Sequence, residues 1–375
     1  MIYLDNAATS FPKSENVYLE MDWANRNLSV NSGRGSYKAA KEASEIISET
    51  REKLLELFNA KGIANVILTP SITHAINQVL YGLELSIDSV VYISPYEHNA
   101  VARCVELLRQ RHGFIVKMLP LQKDLQIDLD KVQYEFSMNP PTLLIINAMS
   151  NVTGYVLPVQ ELSNMAKQFK CTVMLDTAQA AGLIDVDMRK LQADVICFAG
   201  HKSLGGPFGI GGFLLNNAII LERYLAGGTG SNSLNLSMPE EAPGRYEASS
   251  PNIIAIAGLL AALKELNGNE HNKKIKELTE YAIMRLLTIP DIKILGQTPG
   301  QLGIVSFVLP GYNSNDIGEI LDNEFDTAVR TGYHCCPYIH DFLGDKEYGG
   351  TVRIGLGMKN NKEDIDWLVQ ALRTL

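Results

Sequence analysis

Short apolar runs alternate with longer amphipathic stretches through the first two-thirds of the chain. Between Ala39 and Phe58, apolar residues recur at helical spacing (Ala43, Ile46, Ile47, Leu54, Leu57) with charges between them, which predicts an amphipathic helix. A strand is expected at 66–69 before a helix near 72–83. Another is expected at 90–93 before a helix near 99–111, and a third at 143–146 before a helix near 159–169. Strands beginning at Val173 and Val195 follow. This alternation implies an α/β fold with a mostly parallel sheet and helices on both faces. Residues 1–37 read as polar and turn-rich. After Pro251 a long apolar helix is expected over 253–266, then a polar break at 267–274. A smaller α+β region follows, with a strand at 304–308 and a helix at 314–324. The expected division is a large domain of residues 14–266 and a small domain of residues 1–13 and 267–375.

Composition narrows the classes. The 375 residues suffice for a large core, and 46% hydrophobic with 20% charged residues is ordinary for a globular protein. The formal charge of −9 with no basic stripe argues against nucleic acid as the main partner. No apolar run is long enough to span a bilayer, and no signal peptide is expected at the N-terminus. Five cysteines without framework spacing fit reduced thiols in a cytoplasmic protein.

The chemistry concentrates after two strands. The run 194–198 empties into Gly200-His201-Lys202, followed by a glycine-rich segment. A lysine just past a buried strand is readily desolvated, which makes its amine nucleophilic. Twenty-six residues upstream, another apolar strand ends in Asp176. A carboxylate at a strand end with a Schiff-base lysine is the pairing that pyridoxal phosphate requires, since the acid keeps the ring nitrogen protonated. Other candidates fall on the same edge of the expected sheet, where ligands of such sheets sit. Ser71 and Thr73 at a helix start offer a phosphate site, with simple capping as the alternative. His98 is placed to stack on a ring and shuttle protons, or to be a structural histidine. Asn151 and Gln179 are placed to hydrogen-bond a ring hydroxyl. Gly209-Ile210-Gly211-Gly212 lacks the strand–turn–helix setting of a dinucleotide loop.

Asp176-x-x-Gln179 and Gly200-His201-Lys202, with Glu97-His98-Asn99 and Asn151, resemble the class V, fold type I pyridoxal-phosphate enzymes. More narrowly, the chain resembles the cysteine desulfurase and selenocysteine lyase branch, from Tyr3-Leu4-Asp5-Asn6-Ala7-Ala8 to Val352-Arg353-Ile354-Gly355. The resemblance implies Lys202 as the Schiff-base lysine, Asp176 against the ring nitrogen, His98 stacked on the ring, and Asn151 and Gln179 near its oxygen. Thr73, the backbone at Ile72 and His201 would hold the phosphate. It also implies a homodimer in which Ser250 of one subunit completes the other's phosphate site, with the loop at 227–232 nearby. Ala199 stands where the family usually has Ser or Thr. One phosphate hydrogen bond, worth about 0.5–1.5 kcal/mol, is then missing, and either affinity falls or Ser203 or Thr229 compensates.

Arg330-Thr331-Gly332-Tyr333-His334-Cys335-Cys336 aligns Cys335 with the family's catalytic cysteine. The nucleophile is the thiolate, which Arg330 and His334 would favour. Cys336 is a second thiol that would accept or quench sulfur. The alternatives are that these cysteines pack, or that Cys335, Cys336 and His340 bind metal, for which no second ligand pair has standard spacing. Arg353, eighteen residues on, would clamp a substrate carboxylate. The leading expectation is a desulfurase that turns L-cysteine into alanine and a persulfide on Cys335, with selenocysteine lyase activity as a close variant. A short cysteine loop then calls for a separate sulfur acceptor. The alternatives are an aminotransferase, epimerase or other lyase in which Cys335 is incidental, and a non-catalytic sulfur carrier.

Overall fold

The computed structural model describes residues 1–32, 35–229 and 234–375. The chain opens with β1 (Ile2–Tyr3) and α1 (Glu15–Asn27). That helix corrects the turn-rich reading of the first residues. Only Val17 and Ala24 of α1 are buried, so its apolar stripe is too thin to register as periodicity. It packs on the apolar helix of residues 253–265. Next come α2 (Lys38–Leu57), β2 (Ala64–Thr69), α3 (Ile72–Gly82), β3 (Val90–Ile93), α4 (Asn99–His112), β4 (Ile115–Met118), α5 (Leu129–Met138), β5 (Leu143–Asn147), α6 (Val159–Lys167), β6 (Thr172–Asp176), β7 (Val195–Ala199) and β8 (Gly211–Asn216).

These form a seven-stranded sheet in the order β2-β8-β7-β6-β5-β3-β4. All neighbours are parallel except at β8, which runs antiparallel to β2 and β7. The mostly parallel sheet with helices on both faces is as the alternation predicts. Strands β5 and β7 are buried along their whole length, as a sheet covered on both faces requires. Alternate residues serve opposite cores: Ile196 and Phe198 join one apolar cluster, Val195, Cys197 and Ala199 the other.

The glycine-rich segment after Lys202 becomes a strand. Gly211 sits in register between Thr69 and Ala199. A Cβ there would lie 2.7 Å from the Ile72 nitrogen and 2.9 Å from the Phe198 oxygen. Glycine is what lets the start of α3 abut the sheet beside the Lys202 turn.

The remainder begins with α7 (Ile253–Glu265) and α8 (Gly268–Leu286). The expected polar break shrinks to two residues. Asn267 caps the Glu270 N–H, and the polar run forms the outer face of α8, whose inner face buries Ile275, Leu278, Thr279, Ala282 and Leu286. Then follow β9 (Lys293–Leu295), β10 (Ile304–Val308), α9 (Ser314–Phe325), β11 (Thr327–Ala328), β12 (Arg330–Gly332), α10 (His340–Leu343), β13 (Thr351–Gly355) and α11 (Lys362–Leu372). A four-stranded antiparallel sheet runs β12-β13-β10-β9, and β1 pairs in parallel with β11. Among the described residues no helix is long and apolar enough to cross a membrane.

Gly211→Ala should force α3 and β8 apart. Overpacking of this kind costs about 1–3 kcal/mol, to be read as a lower denaturant midpoint at an unaltered slope. An unchanged midpoint would contradict the close approach.

Candidate active site

Strands β2, β3, β5, β6 and β7 all end at one edge of the large sheet, and most predicted residues lie just beyond it. Asp176 closes β6 and is buried, with its Oδ1 accepting from the Ala178 N–H at 2.9 Å. Burial pushes its carboxyl above the usual range, against the pull of Lys202. Lys202 stands three residues past the end of β7. Loss of hydration lowers its amine to about 8, resisted by Asp176 and reinforced by Arg353 and Arg330. The amine therefore reaches its neutral, nucleophilic form close to physiological pH.

His98 caps α4, and its Nδ1 accepts from the Ala100 N–H at 3.0 Å. That bond leaves the single proton of a neutral imidazole on Nε2. Burial, helped by the charges of Lys202, Arg330, Arg353 and Arg103, holds the ring's pKa down to about 4, so it is neutral at physiological pH. Its chain neighbour Glu97 is fully buried, and the Glu97 Oε1 accepts from Ser94 Oγ at 2.6 Å and from the Asn147 N–H at 2.7 Å. Asn147 is in register with Asp176, so Glu97 ties the turn carrying His98 to the strand pair carrying Asp176. Burial pushes the Glu97 carboxyl up to about 8. The sequence offered Glu97 only as part of a motif.

The other predicted residues are divided. Asn151 donates from Nδ2 to the His334 carbonyl at 2.8 Å, while its buried Oδ1 has no partner among the described residues. Gln179 donates to the Ala7 carbonyl at 2.8 Å. Ile72 is buried and Thr73 exposed in the first turn of α3, where Ser71 caps the His74 N–H at 3.2 Å. The ring of His201 stacks on Phe208 with centroids 4.5 Å apart, and its buried Nδ1 has no partner among the described residues. Ser203 gives its hydroxyl proton to the Gln179 carbonyl at 2.8 Å, so in this arrangement it does not replace the hydroxyl that Ala199 lacks. Ser250 is exposed and lines a separate open groove with Thr69, Pro70, His74 and Thr229, apart from Lys202 and Asp176. Gly230, Ser231 and Asn232 of the neighbouring loop lie outside the described residues.

The cysteine turn comes from the small sheet. His334 and Cys335 have φ of +48° and +57°, two successive non-glycine residues in left-handed backbone. Such backbone is strained and persists only where its surroundings fix it. Here the Asn99 N–H donates to the Cys335 carbonyl at 2.7 Å, Asn151 holds the His334 carbonyl, and His334 Nε2 meets Thr351 Oγ1 at 2.7 Å. The first of these bonds seats Cys335 on the start of α4, directly beside His98. Arg330 Nη2 lies 3.4 Å from Cys335 Sγ, which sets a cation against the sulfur.

His334 does not share that task. Its ring is buried against Thr351, and burial keeps it neutral, so the expectation of two cations around the thiol reduces to one. Cys336 is sealed in the interior: it is 1% exposed, and burial drives its thiol far above the ordinary range. His340 turns to Asp345 Oδ2 at 2.6 Å and the Tyr333 carbonyl at 3.0 Å, away from a shared ligand position with the cysteines. Among the described residues no grouping of three or more His, Cys, Asp or Glu could hold a metal.

Arg353 is 1% exposed on β13, directly across from Arg330 on β12. Its Nη1 donates to the Asn151 carbonyl at 2.8 Å and its Nη2 to Asp5 Oδ1 at 2.7 Å, leaving a buried Nε with no partner among the described residues. Asp5, 348 residues away, was not singled out from the sequence. A long-range ion pair of this kind leaves no local signal.

The family model for class-V aminotransferases matches residues 2–368. The chain belongs to the class-V aminotransferase family. Members of that family, cysteine desulfurases included, depend on pyridoxal phosphate. The chain is 30% identical to a probable cysteine desulfurase of Streptomyces coelicolor, covering 99% of this chain and 91% of the relative. It is 32% identical to a cysteine desulfurase of Haloferax volcanii, covering 99% and 88%. Among solved structures, the apo cysteine desulfurase of Thermococcus onnurineus superposes with a TM-score of 0.91 at 26% identity, over 100% of this chain and 94% of that one. The S-sulfonic acid form of the Escherichia coli cysteine desulfurase CsdA gives 0.86 at 27%, over 99% and 94%.

The two neighbouring thiols should behave oppositely. Brief alkylation of the native protein should label Cys335 and spare Cys336, as read by peptide mass spectrometry. Comparable labelling of both would contradict the burial of Cys336.

Proposed function

We propose that this protein is a pyridoxal-phosphate-dependent cysteine desulfurase, taking L-cysteine to L-alanine with a persulfide on Cys335. The observation that carries the reading is the seating of the Cys335 turn beside His98, with Arg330 3.4 Å from the sulfur. A site for transamination alone has no use for a strained, cation-flanked thiol there. The residues present fit the cofactor. Asp176 would face the ring nitrogen, Lys202 would hold the aldehyde, neutral His98 would lie on the ring, and Gln179 would serve the ring oxygen. Buried atoms without partners, Asn151 Oδ1 and His201 Nδ1, fall where polar groups of a ligand would satisfy them. The start of α3, with Ile72 and Thr73, suits the phosphate. Ser250 would act on the phosphate of a second subunit in a homodimer, which fits its position in a groove away from Lys202.

When bound, the cofactor supplies an electron sink for bonds broken at the amino acid. The chain does the rest. The free Nε of Arg353 receives the substrate carboxylate, and the Asp5 pair keeps the guanidinium oriented. Lys202 moves the α-proton, as an amine near pH 8 is able to do. Cys335, as thiolate, attacks the substrate sulfur: an S–S bond forms, the C–S bond breaks, and the carbon takes a proton to become alanine. Burial of Cys336 leaves Cys335 to hold the persulfide until a separate acceptor takes the sulfur. The division into domains of residues 14–266 and of 1–13 with 267–375 belongs to this reading. It is supported by the pairing of β1 with β11 and by the Asp5 bridge to Gly355.

Cys335→Ser should abolish alanine formation from L-cysteine, a fall of at least about a thousandfold as for loss of a covalent nucleophile, while the cofactor's visible absorbance stays intact. Undiminished turnover would refute the desulfurase reading and favour one in which the thiol is incidental.

A further inference from the structure

One carbonyl beside the candidate lysine is held by an unusual number of donors. The main-chain oxygen of His201 accepts from the Ser10 N–H at 3.0 Å, Thr9 Oγ1 at 2.9 Å, Lys13 Nζ at 2.9 Å and, more weakly, Ser10 Oγ at 3.3 Å. A carbonyl oxygen has two lone pairs, so this acceptor is more than saturated. The remaining protons of Lys13 go to Ser10 Oγ at 2.8 Å and Thr9 Oγ1 at 3.3 Å. The ammonium thus polarises two hydroxyls that themselves donate to the same oxygen, so Lys13 holds the carbonyl both directly and through Thr9 and Ser10. Among the described residues Lys13 makes no ion pair, and burial lowers its amine to about 8. An ammonium drawn from water without a counter-ion costs free energy that an exposed residue would avoid.

The same segment reaches the rest of the site. Asp5 orients Arg353, and the Ala7 carbonyl holds Gln179. Asn6 Nδ2 donates to the Gly355 carbonyl at 3.0 Å and Asn360 Oδ1 at 3.0 Å, anchoring the segment to the end of β13. Residues 5–13 therefore touch the arginine, the glutamine and the peptide unit immediately before Lys202.

We propose that residues 5–13 form a strap that sets the position of Lys202 through the His201 carbonyl, with Lys13 as its positioning residue. The proposal deepens the functional reading above and rests on it, because it matters only if Lys202 carries the cofactor. The strap fixes the peptide plane from which the lysine side chain leaves, and its residues Asn6, Ser10 and Lys13 share one cavity wall with Lys202. The charges acting on Lys202 are Asp176 from β6, Arg353 from β13, Arg330 from β12 and Cys335 from the turn, with neutral His98 at the head of α4. Lys13 is not among them, so its effect on Lys202 travels through the backbone of His201.

The test uses the full-length protein and its Lys13→Met and Lys13→Arg variants. Before cofactor is added, the pH dependence of acetylation at Lys202 is measured by peptide mass spectrometry, with exposed lysines as internal standards. The wild-type midpoint should lie at about 8. Lys13→Met should raise it by about one unit, a tenfold gain in proton affinity as the loosened turn lets the Lys202 amine move to a better hydrated position, and Lys13→Arg should restore most of the difference. After loading with pyridoxal phosphate, kcat for alanine formation should fall by about tenfold in Lys13→Met with KM little changed, since a small misplacement of a reacting group weighs on the chemical step. A merely structural lysine would lower the melting temperature and leave midpoint and kcat at wild-type values, and that result overturns the strap. If Lys13→Met fails to fold, Thr9→Val removes one donor to the same carbonyl and is read by the same criteria. A wild type that develops no visible absorbance with pyridoxal phosphate would instead refute the role of Lys202 itself.

Discussion

The site depends on two opposite charges kept out of water at the ends of adjacent strands. Asp176 and Lys202 each pay a hydration cost by being there, and each relieves the other's. The acid is driven up by burial and drawn back by the amine; the amine is driven down by burial and drawn back by the acid. Neither would hold its state alone. The surroundings keep the pair poorly hydrated: a neutral His98, a fully buried Glu97, and strands β5 and β7 buried along their length, with β6 buried from Val173 to Asp176. A cofactor that needs an ionised acid at its ring nitrogen and a reactive amine at its aldehyde fits such a pair.

The second half of the chemistry is carried in by the small sheet. Arg330 and Arg353 face each other across β12 and β13, two like charges side by side, which is unfavourable by itself. Asp5 relieves Arg353, and the sulfur of Cys335 lies against Arg330. An anionic substrate or thiolate would relieve the rest. The turn between them is strained at His334 and Cys335, and its hydrogen bonds run to Asn99, Asn151 and Thr351 on three different elements. Fixing a strained turn from several directions costs stability but leaves the thiol a single position, which suits a nucleophile that must meet one atom of its substrate.

Legibility of the fold follows burial. Strands β2, β3, β5, β6 and β7 were readable as apolar runs, most completely where both faces are covered, whereas β4, exposed at both ends on the sheet's edge, and β8, which opens on two glycines, were not. Helix α1 was not, because only two of its residues are buried, and the start of α8 was hidden for the same reason. In the site, the positions of Lys202, Asp176 and His98 were legible since each closes a strand or lies within five residues of a strand end, and the topology of the sheet brings those ends to one edge. What the sequence did not disclose was orientation and long-range pairing. His334 is adjacent to Cys335 in the chain, yet left-handed backbone turns its ring to Thr351. Cys335 and Cys336 look alike in the sequence, but one is accessible and the other sealed. Asp5 and Arg353 meet across almost the whole chain, and no periodicity encodes that.

The most direct test of the account is reductive trapping. The full-length protein loaded with pyridoxal phosphate is treated with borohydride, digested and mapped by mass spectrometry. The account predicts one pyridoxyl adduct, on the peptide carrying Lys202, and its loss in Lys202→Ala. An adduct centred on any other lysine, or none in a protein that still consumes L-cysteine, would contradict it.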